Sequence, residues 1–206
     1  MTPRIPKAQS RAGALAELVV IVALALGFAL ALQAWVVKPY QIPSRSMEPT
    51  LDVGQRVLVN RFLYHLADPG IGDIVVFHPP VGADNGGQCG VVRRPRQPCA
   101  RPTSERSDQN FIKRIVAGPG DTLSIRNGHP VVNGVEKTDE SFIMPCGNGG
   151  GCDLTKPITI PPDHYFMMGD NRGASDDSRF WGPVPREWII GKAFLTYWPP
   201  DRVGIF

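Results

Sequence analysis

The sequence lacks any long run of basic residues. Its 206 residues include 22 Lys or Arg and 19 Asp or Glu, and the cations are scattered along the chain, with a formal net charge of +3. A surface that binds nucleic acid is usually marked by a concentrated basic patch. Nothing in the composition therefore indicates a nucleic-acid partner.

The sequence also has little capacity for long helices after its first forty residues. It contains 21 prolines and 22 glycines. Proline removes a backbone donor and glycine weakens helix interiors. The length suits one compact domain with a short appendage, and the chain shows no internal repeat. We expect a turn-rich, mostly β domain.

Cysteine is scarce, and its spacing is not that of a zinc site. The four residues are Cys89, Cys99, Cys146 and Cys152, with no Cys-x-x-Cys among them. Four cysteines allow three pairings, of which local closure favours Cys89–Cys99 and Cys146–Cys152. Disulfides would require an oxidising compartment, and the alternative is four free thiols in the cytosol. We expect neither a metal nor a cofactor.

One long apolar run is present, near the N-terminus. Residues 18–32 are apolar throughout apart from Gly27, and the apolar character extends from Ala12 to Val37 with interruptions at Glu17 and Gln33. This length spans a bilayer as a single helix. A cleaved secretory leader is the alternative, since Ala29-Leu30-Ala31 has the small-x-small pattern of a cleavage site. The run is longer than a typical leader, which favours a retained anchor.

Cations precede the apolar run, at Arg4, Lys7 and Arg11. By the positive-inside rule they keep the N-terminus in the cytoplasm and direct the rest of the chain outward. Trp35 and Lys38 are then expected at the outer interface. The predicted organisation is a cytoplasmic segment 1–11, a transmembrane anchor 12–37 and an extracytoplasmic domain 38–206.

Short apolar runs bounded by Gly, Pro, Asn and Asp follow the anchor and predict strands. They include 55–59, 73–77, 111–116, 122–126 and 158–160. Asn127-Gly128 and Asn133-Gly134 flank residues 129–132 and predict hairpins, because Asn and Gly tolerate positive φ. The Gly-, Pro- and Arg-rich segment 82–110 is expected to be an exposed excursion. The predicted fold is an antiparallel β domain tethered by one N-terminal helix.

A serine pair lies a few residues beyond the apolar run. Ser44 and Ser46 stand between Pro43 and Pro49, which fix φ and disfavour a helix. A stiffened loop holds a hydroxyl and its backbone N–H in fixed directions, as acyl transfer requires. Serines near prolines are also common in inert loops, and a nucleophile needs an adjacent base.

Two lysines are candidates for that base. The four histidines, His65, His78, His129 and His164, have no motif around them. Lysine acts as a base only when desolvation lowers its pKa. Lys113 shares a predicted strand face with Phe111 and Ile115, and Lys192 lies similarly between Ile190 and Phe194. Periodicity leaves the choice open, and both could be surface lysines.

A third cluster lies near the C-terminus, at residues 167–172 and at Ser175, Asp177 and Arg179. Asp, Asn and Arg around glycines predict a tight loop closed by Asp–Arg pairs. Spacing alone does not show whether Ser175 orients a neighbouring amine.

Three motifs in this order resemble bacterial type I signal peptidase. They are Pro-Ser-x-Ser-Met-x-Pro-Thr-Leu at 43–51, Lys-Arg at 113–114 followed by Gly-Pro-Gly-Asp at 118–121, and Gly-Asp-Asn-Arg at 169–172 ending in Ser-x-Asp-Ser-Arg at 175–179. The resemblance runs from about Tyr40 to the C-terminus and leaves 82–110 outside. It implies a membrane-bound serine endopeptidase that uses a Ser/Lys dyad.

The resemblance assigns a role to each polar residue of the motifs. Ser46 would be the nucleophile and Lys113 the base. Ser44 would join the Ser46 N–H in an oxyanion hole. Ser175 would hydrogen-bond and position the lysine amine, while Asp177 and Arg179 would form a bracing ion pair. The Cys146 and Cys152 spacing resembles a disulfide of some Gram-negative members.

The resemblance also implies a substrate, a location and partners. Small pockets selecting Ala-x-Ala-like sequences would form near Tyr40, Ile42, Pro43, Met47 and Ile112. The expected partners are signal peptides of exported preproteins, the lipid bilayer and the export machinery. The expected place is the bacterial cytoplasmic membrane, with one span and the catalytic domain on its outer face.

Two departures from the family pattern are visible, neither at a proposed catalytic group. Gly173-Ala174 replaces the common Asp-Asn, and Ala117-Gly118 replaces the common Gly-Leu. A non-catalytic membrane-anchored β module is one rival interpretation. A self-cleaving transcriptional repressor is another, but an apolar span stands where its DNA-reading helices should be.

Overall fold

The computed structural model describes residues 11–85, 87–137, 141–144, 146–147 and 151–206. Helix α1 spans Arg11–Trp35. Its residues are mostly Ala, Leu and Val without proline, a composition that favours helix. At 1.5 Å per residue its 25 residues extend about 38 Å, enough to cross the apolar core of a bilayer.

The apolar side chains of α1 are exposed, for example Leu24 at 69% and Phe28 at 67%. Residues 13–30 have the length and composition of a membrane span. A core helix of a soluble domain would bury such a surface. The predicted segment 1–11 lies outside the described residues except for Arg11, and so do Arg4 and Lys7.

Within the ranges that the structure describes, twelve strands and one short α-helix follow α1. They are β1 Val37–Gln41, β2 Arg56–Asn60, β3 Ile74–Phe77, β4 Phe111–Ala117, β5 Thr122–Arg126, β6 His129–Val132, β7 Val135–Glu136, β8 Leu154–Thr159, β9 His164–Met168, α2 Ser178–Trp181, β10 Val184–Pro185, β11 Ile189–Trp198 and β12 Gly204–Ile205.

The strands form two antiparallel sheets. The larger has eight strands in the order β1-β2-β11-β3-β4-β9-β10, with β12 beside β11. The smaller has the order β7-β6-β5-β8. The prediction of an antiparallel, mostly β domain behind one N-terminal helix is confirmed.

The hairpins predicted at the Asn-Gly pairs are present. β5 and β6 turn at Asn127 and Gly128, whose φ values are 46° and 78°. β6 and β7 turn at Asn133 and Gly134, at 52° and 82°. Only residues that tolerate the left-handed region close turns this tight, so local chemistry specifies this sheet.

Strand β4 is packed on both faces. One face contributes Ile115 to a cluster that contains Val75 and Phe77 of β3. The other face contributes Ile112 to a cluster that includes Val76 and extends to the β1–β2 loop. A lysine placed in this strand is therefore surrounded by apolar side chains instead of water.

The cysteines pair locally, as their spacing predicts. Cα atoms lie 5.6 Å apart in Cys89–Cys99 and 5.8 Å apart in Cys146–Cys152. The first disulfide lies inside segment 82–110, the long connection from β3 to β4. Most of that segment is exposed as predicted, but Cys99 is fully buried and its N–H donates to the Arg179 carbonyl at 3.1 Å. The excursion is thus fixed to the domain.

Candidate active site

Ser46 lies in the loop between β1 and β2. The base of the loop is closed where the N–H of Ile42 donates to the Gln55 carbonyl at 2.8 Å. Ser46 is within a 3₁₀ turn, Arg45–Met47. Met47 and Leu51 anchor this turn in the core and are fully buried. The serine hydroxyl is therefore held on a rigid support.

The amine of Lys113 lies beside that hydroxyl. Its Nζ donates to Ser46 Oγ at 2.7 Å and to the Ile112 carbonyl at 3.1 Å. The residues are 67 positions apart in sequence. Only 4% of Lys113 is exposed, so water has little access to the amine.

The other candidate lysine has a different environment. Lys192 Nζ forms an ion pair with Asp73 Oδ1 at 2.5 Å, and its side chain is 33% exposed. Lys192 is therefore paired with a carboxylate at a partly solvated position and not with a serine hydroxyl. The structure thus distinguishes two lysines that periodicity treated alike.

Burial lowers the pKa of Lys113 to about 8. The carboxylates of Asp177, Asp176 and Asp170 oppose this shift and raise the pKa, because negative charges favour the ammonium. The balance leaves a substantial neutral fraction near pH 8. A neutral amine at hydrogen-bond distance is able to accept the serine proton.

Ser44 lies next to Ser46 in space. The two Oγ atoms are 3.2 Å apart. Ser44 is the more exposed of the two residues. Its position is compatible with donating to an oxyanion that forms beside Ser46, as the family resemblance implies.

Ser175 has a different partner from the one expected. Its Oγ donates to Asp177 Oδ2 at 2.8 Å, and in the described part of the chain its hydroxyl forms no hydrogen bond with the Lys113 amine. An ionised carboxylate is a stronger acceptor than a neutral amine. The prediction of a direct hydrogen bond between Ser175 and the Lys113 amine is therefore corrected. The partner that orients the Ser175 hydroxyl is Asp177.

Asp177 is the centre of a buried network. Its Oδ1 accepts from Arg179 Nε at 2.7 Å, and its Oδ2 accepts from the Gly169 N–H at 3.0 Å. Burial raises the pKa of Asp177, but the Arg179 charge and these hydrogen bonds outweigh it and leave the pKa below its ordinary value. The ion pair predicted for Asp177 and Arg179 is present.

Sequence reasoning missed a second buried pair. Arg114 donates to both oxygens of Asp170, at 2.9 Å to Oδ1 and 2.7 Å to Oδ2. Thr50 Oγ1 donates to the same carboxylate at 2.5 Å. The sequence pattern predicts that Asp170 pairs with an arginine of its own loop, whereas its partner lies on β4. The register of β4 and β9, which sets Met168 opposite Arg114, brings the two residues together.

Gly169 is required by close approach. A Cβ at this position would overlap the Ser175 hydroxyl and the Ser46 carbonyl. The Ser46 carbonyl also accepts from the Asn171 N–H at 3.1 Å. The 169–172 loop is therefore in direct contact with the serine turn.

One cavity opens at the Ser46–Lys113 pair, and a second adjoins it. The first, of about 330 Å³, is lined by both residues and by Ser44, Ala174 and Asp176 among others. The second, of about 360 Å³, is lined by Tyr40, Gln41, Ile42, Pro43, Val76 and residues 109–112. The boundary residues Pro43 and Ile112 line both.

Four of the five predicted substrate-contact residues line these cavities. They are Tyr40, Ile42, Pro43 and Ile112. Met47 lines neither, because its side chain is fully buried in the core beneath the serine turn. The assignment of Met47 to a pocket is corrected to a supporting position.

The histidines lie elsewhere. His65 and His78 line a separate cavity of about 520 Å³ whose lining contains no serine, threonine or cysteine. His129 Nδ1 lies 2.9 Å from the Lys137 carbonyl, and His164 Nδ1 lies 2.7 Å from the Pro162 carbonyl. His129 and His164 therefore lie against backbone carbonyls, and His65 and His78 line a cavity without a nucleophile.

Known proteins are similar to this chain in sequence. The family model described as signal peptidase, peptidase S26, matches residues 15–198. The signal peptidase I of Leptolyngbya laminosa is 34% identical, over 98% of this chain and 92% of that protein. A probable signal peptidase I-2 of a Synechocystis species is 36% identical, over 86% of this chain and 70% of that protein.

A Gram-negative relative is similarly close. The signal peptidase I of Pseudomonas aeruginosa is 34% identical, over 85% of this chain and 70% of that protein. The family model covers the serine turn, β4 and the 169–179 loop. The chain therefore belongs to the signal peptidase family, peptidase S26.

Proposed function

We propose that this protein is a membrane-anchored endopeptidase that removes signal peptides from exported preproteins, with Ser46 as nucleophile and Lys113 as general base. The observation that carries the proposal is the 2.7 Å contact between Lys113 Nζ and Ser46 Oγ, with the amine buried. Family membership supports the substrate class.

The reaction begins with neutral Lys113. Its amine accepts the Ser46 proton as Oγ attacks the scissile carbonyl, which forms a tetrahedral oxyanion. The Ser46 N–H and the Ser44 hydroxyl donate to that oxyanion. The ammonium then protonates the leaving amine, and an acyl-enzyme remains on Ser46.

Hydrolysis completes the cycle. Lys113, again neutral, takes a proton from water as the water attacks the acyl carbon. Breakdown of the second tetrahedral intermediate returns the proton to Ser46 Oγ and releases the signal peptide. The Asp177–Arg179 pair and Ser175 brace the site without contacting the reacting atoms.

The adjoining cavities suit an extended substrate. Successive side chains of an extended chain point to opposite sides, so alternate residues enter one face. The residue before the scissile bond would enter the first cavity, and the residue two positions earlier would enter the second. We expect an Ala-x-Ala-like preference at these positions.

The anchor determines on which side of the membrane the active site lies. Helix α1 would cross the bacterial cytoplasmic membrane with its N-terminus in the cytoplasm, leaving the site on the outer face. Preproteins emerging from the export machinery would meet it there. The bilayer and that machinery are the proposed partners besides the signal peptide.

Incubation of the detergent-solubilised protein with a secretory preprotein tests the proposal. The expected result is one new N-terminus, located by sequencing after a small-x-small motif. The Ser46→Ala protein is the matched control and should leave the preprotein intact. An uncut preprotein with the wild-type protein, or equal cutting by the control, would contradict the proposal. A non-catalytic β module would leave the preprotein uncut.

A further inference from the structure

Segment 82–110 begins and ends beside the strand that carries Lys113. Phe77 at the end of β3 pairs with Phe111 at the start of β4. Next to this pair, the Val81 N–H donates to the Glu105 carbonyl at 2.9 Å and the Ser107 N–H donates to the Pro79 carbonyl at 2.8 Å. The base of the segment is therefore fixed in position.

Both ends of the segment line the first cavity. Ala83 and Asp84 come from one end, Gln109 and Asn110 from the other, and the cavity also contains Ser46. Gln109 Nε2 donates to Asp84 Oδ2 at 3.0 Å and joins the two ends. A segment outside the family motifs thus forms a wall of the candidate cleft.

The wall adds charge to the cleft. The ionisable side chains lining the first cavity are Lys113, Asp84 and Asp176. Asp84 and Asp176 are exposed and form no ion pair within the described residues, whereas the nearby Asp170 and Asp177 are paired with arginines. When Lys113 is neutral, two negative charges remain. Clefts lined by one sign of charge concentrate ligands of the opposite sign.

We propose that Asp84 and Asp176 make the cleft selective for preproteins with a basic side chain next to the scissile bond. This inference rests on the proposed function and names the substrate class for the same site. The two carboxylates act at different positions of the substrate.

The cavity linings assign those positions. Gln109, the partner of Asp84, lines both cavities, so Asp84 faces the substrate residue between the two that enter them. Asp84 also lines the first cavity alone, but Asp176 comes from the segment 174–176, no residue of which lines the second cavity. It therefore faces the residue that follows the cut.

The expected preference is modest. Ion pairs between exposed groups change an equilibrium by about two- to fivefold. They are screened at high ionic strength. Each carboxylate should therefore favour Lys over Gln by about this factor and disfavour Glu similarly, with the preference decreasing as salt is added.

Two matched series of preproteins test the assignment. One series carries Lys, Gln or Glu at the penultimate residue before the cut, and the other carries them at the first residue after it. Wild-type kcat/KM should decrease from Lys to Gln to Glu in both. Asp84→Asn should abolish the preference in the first series, and Asp176→Asn in the second. The ratio of kcat/KM values for two substrates is taken on the same variant, so any change in the basicity of Lys113 affects both values equally and cancels.

Asp108→Asn is the matched control. Asp108 is exposed on the same segment but lines neither cavity, so this variant should keep both preferences. Equal kcat/KM for Lys and Glu in the wild type, or unchanged ratios in Asp84→Asn and Asp176→Asn, would overturn the assignment.

A binding measurement separates this inference from the proposed function. The six substrates are titrated, as fluorescent peptides, against Ser46→Ala, which is expected not to turn them over. A lower Kd for Lys than for Glu supports the acidic wall even if the wild type cuts none of them. Equal Kd values reject the wall even if every substrate is cut.

Discussion

Arg114 holds both carboxylate oxygens of Asp170, and this pair joins β4 to the 169–172 loop. Lys113 is the preceding residue of that strand, and the Ser46 carbonyl contacts the loop through Asn171. The pair therefore helps to hold Ser46 and Lys113 in their relative positions, although it does not contact the reacting atoms.

Loss of the Asp170 charge should destabilise the domain. Asp170→Asn leaves the Arg114 guanidinium without its counter-ion where its side chain is 13% exposed. Breaking a buried pair costs about 3–5 kcal/mol. Thermal denaturation in detergent should show a clearly lower Tm. Asp68→Asn, which removes the partner of Arg186 at an 81% exposed position, should leave Tm nearly unchanged; equal Tm values for both variants would contradict the role of the buried pair.

The base should not tolerate a guanidinium. Lys113→Arg keeps the charge, but arginine does not lose its proton in proteins, so kcat should fall by about 10²–10⁴. Lys192→Arg is the control, because its partner Asp73 accepts from either cation, and it should remain close to wild type. A folded Lys113→Arg enzyme within about threefold of wild type, far inside the general-base range, would exclude the dyad.

The two serines should differ in their effect on activity. Ser46→Ala should abolish preprotein cleavage because no acyl-enzyme forms. Ser44→Ala should lower kcat by about 10²–10³, the usual cost of one oxyanion donor. Single-turnover cleavage assays measure both. The reverse pattern would exchange the two roles.

Activity should rise with pH through the pKa of Lys113, which is about 8. As the proposed base, Lys113 works in its neutral form, so activity should be lost as pH falls below this value and be fully present above it. Asp176→Asn removes a charge that raises this pKa, and the rise should move to lower pH. Profiles of kcat/KM for both proteins measure the midpoint. A midpoint that stays fixed or moves upward would contradict the electrostatic role of Asp176.

Gly169 should not accept a side chain. In Gly169→Ala the new methyl group would displace Ser175 or the Ser46 carbonyl, and cleavage should fall at least tenfold, the cost of about 1.4 kcal/mol in the barrier. Gly204→Ala is the matched control, since a Cβ there meets nothing within 4 Å. Equal activity of the two variants would show that the loop adjusts to the added group.

Local patterns decided much of the fold. The apolar run of residues 18–32 predicts α1, and the Asn-Gly pairs predict the turns on either side of β6, because length, apolarity and positive φ are properties of neighbouring residues. Predicted and observed strands agree for 122–126 and differ by one residue for β2 and β4. β8 begins four residues before the predicted start at 158, since residues 155–157 are exposed and leave Leu154 separated from the apolar run.

Contacts between distant segments were decided by the tertiary structure alone. Alternation assigned Lys113 and Lys192 to equivalent strand faces, and only packing shows that one lies beside Ser46 and the other beside Asp73. The resemblance named Ser175 as a partner of the lysine, whereas its hydroxyl binds Asp177. A strand's period reports which residues share a face, but the segment packed against that face is chosen by sheet register and loop closure over many tens of residues.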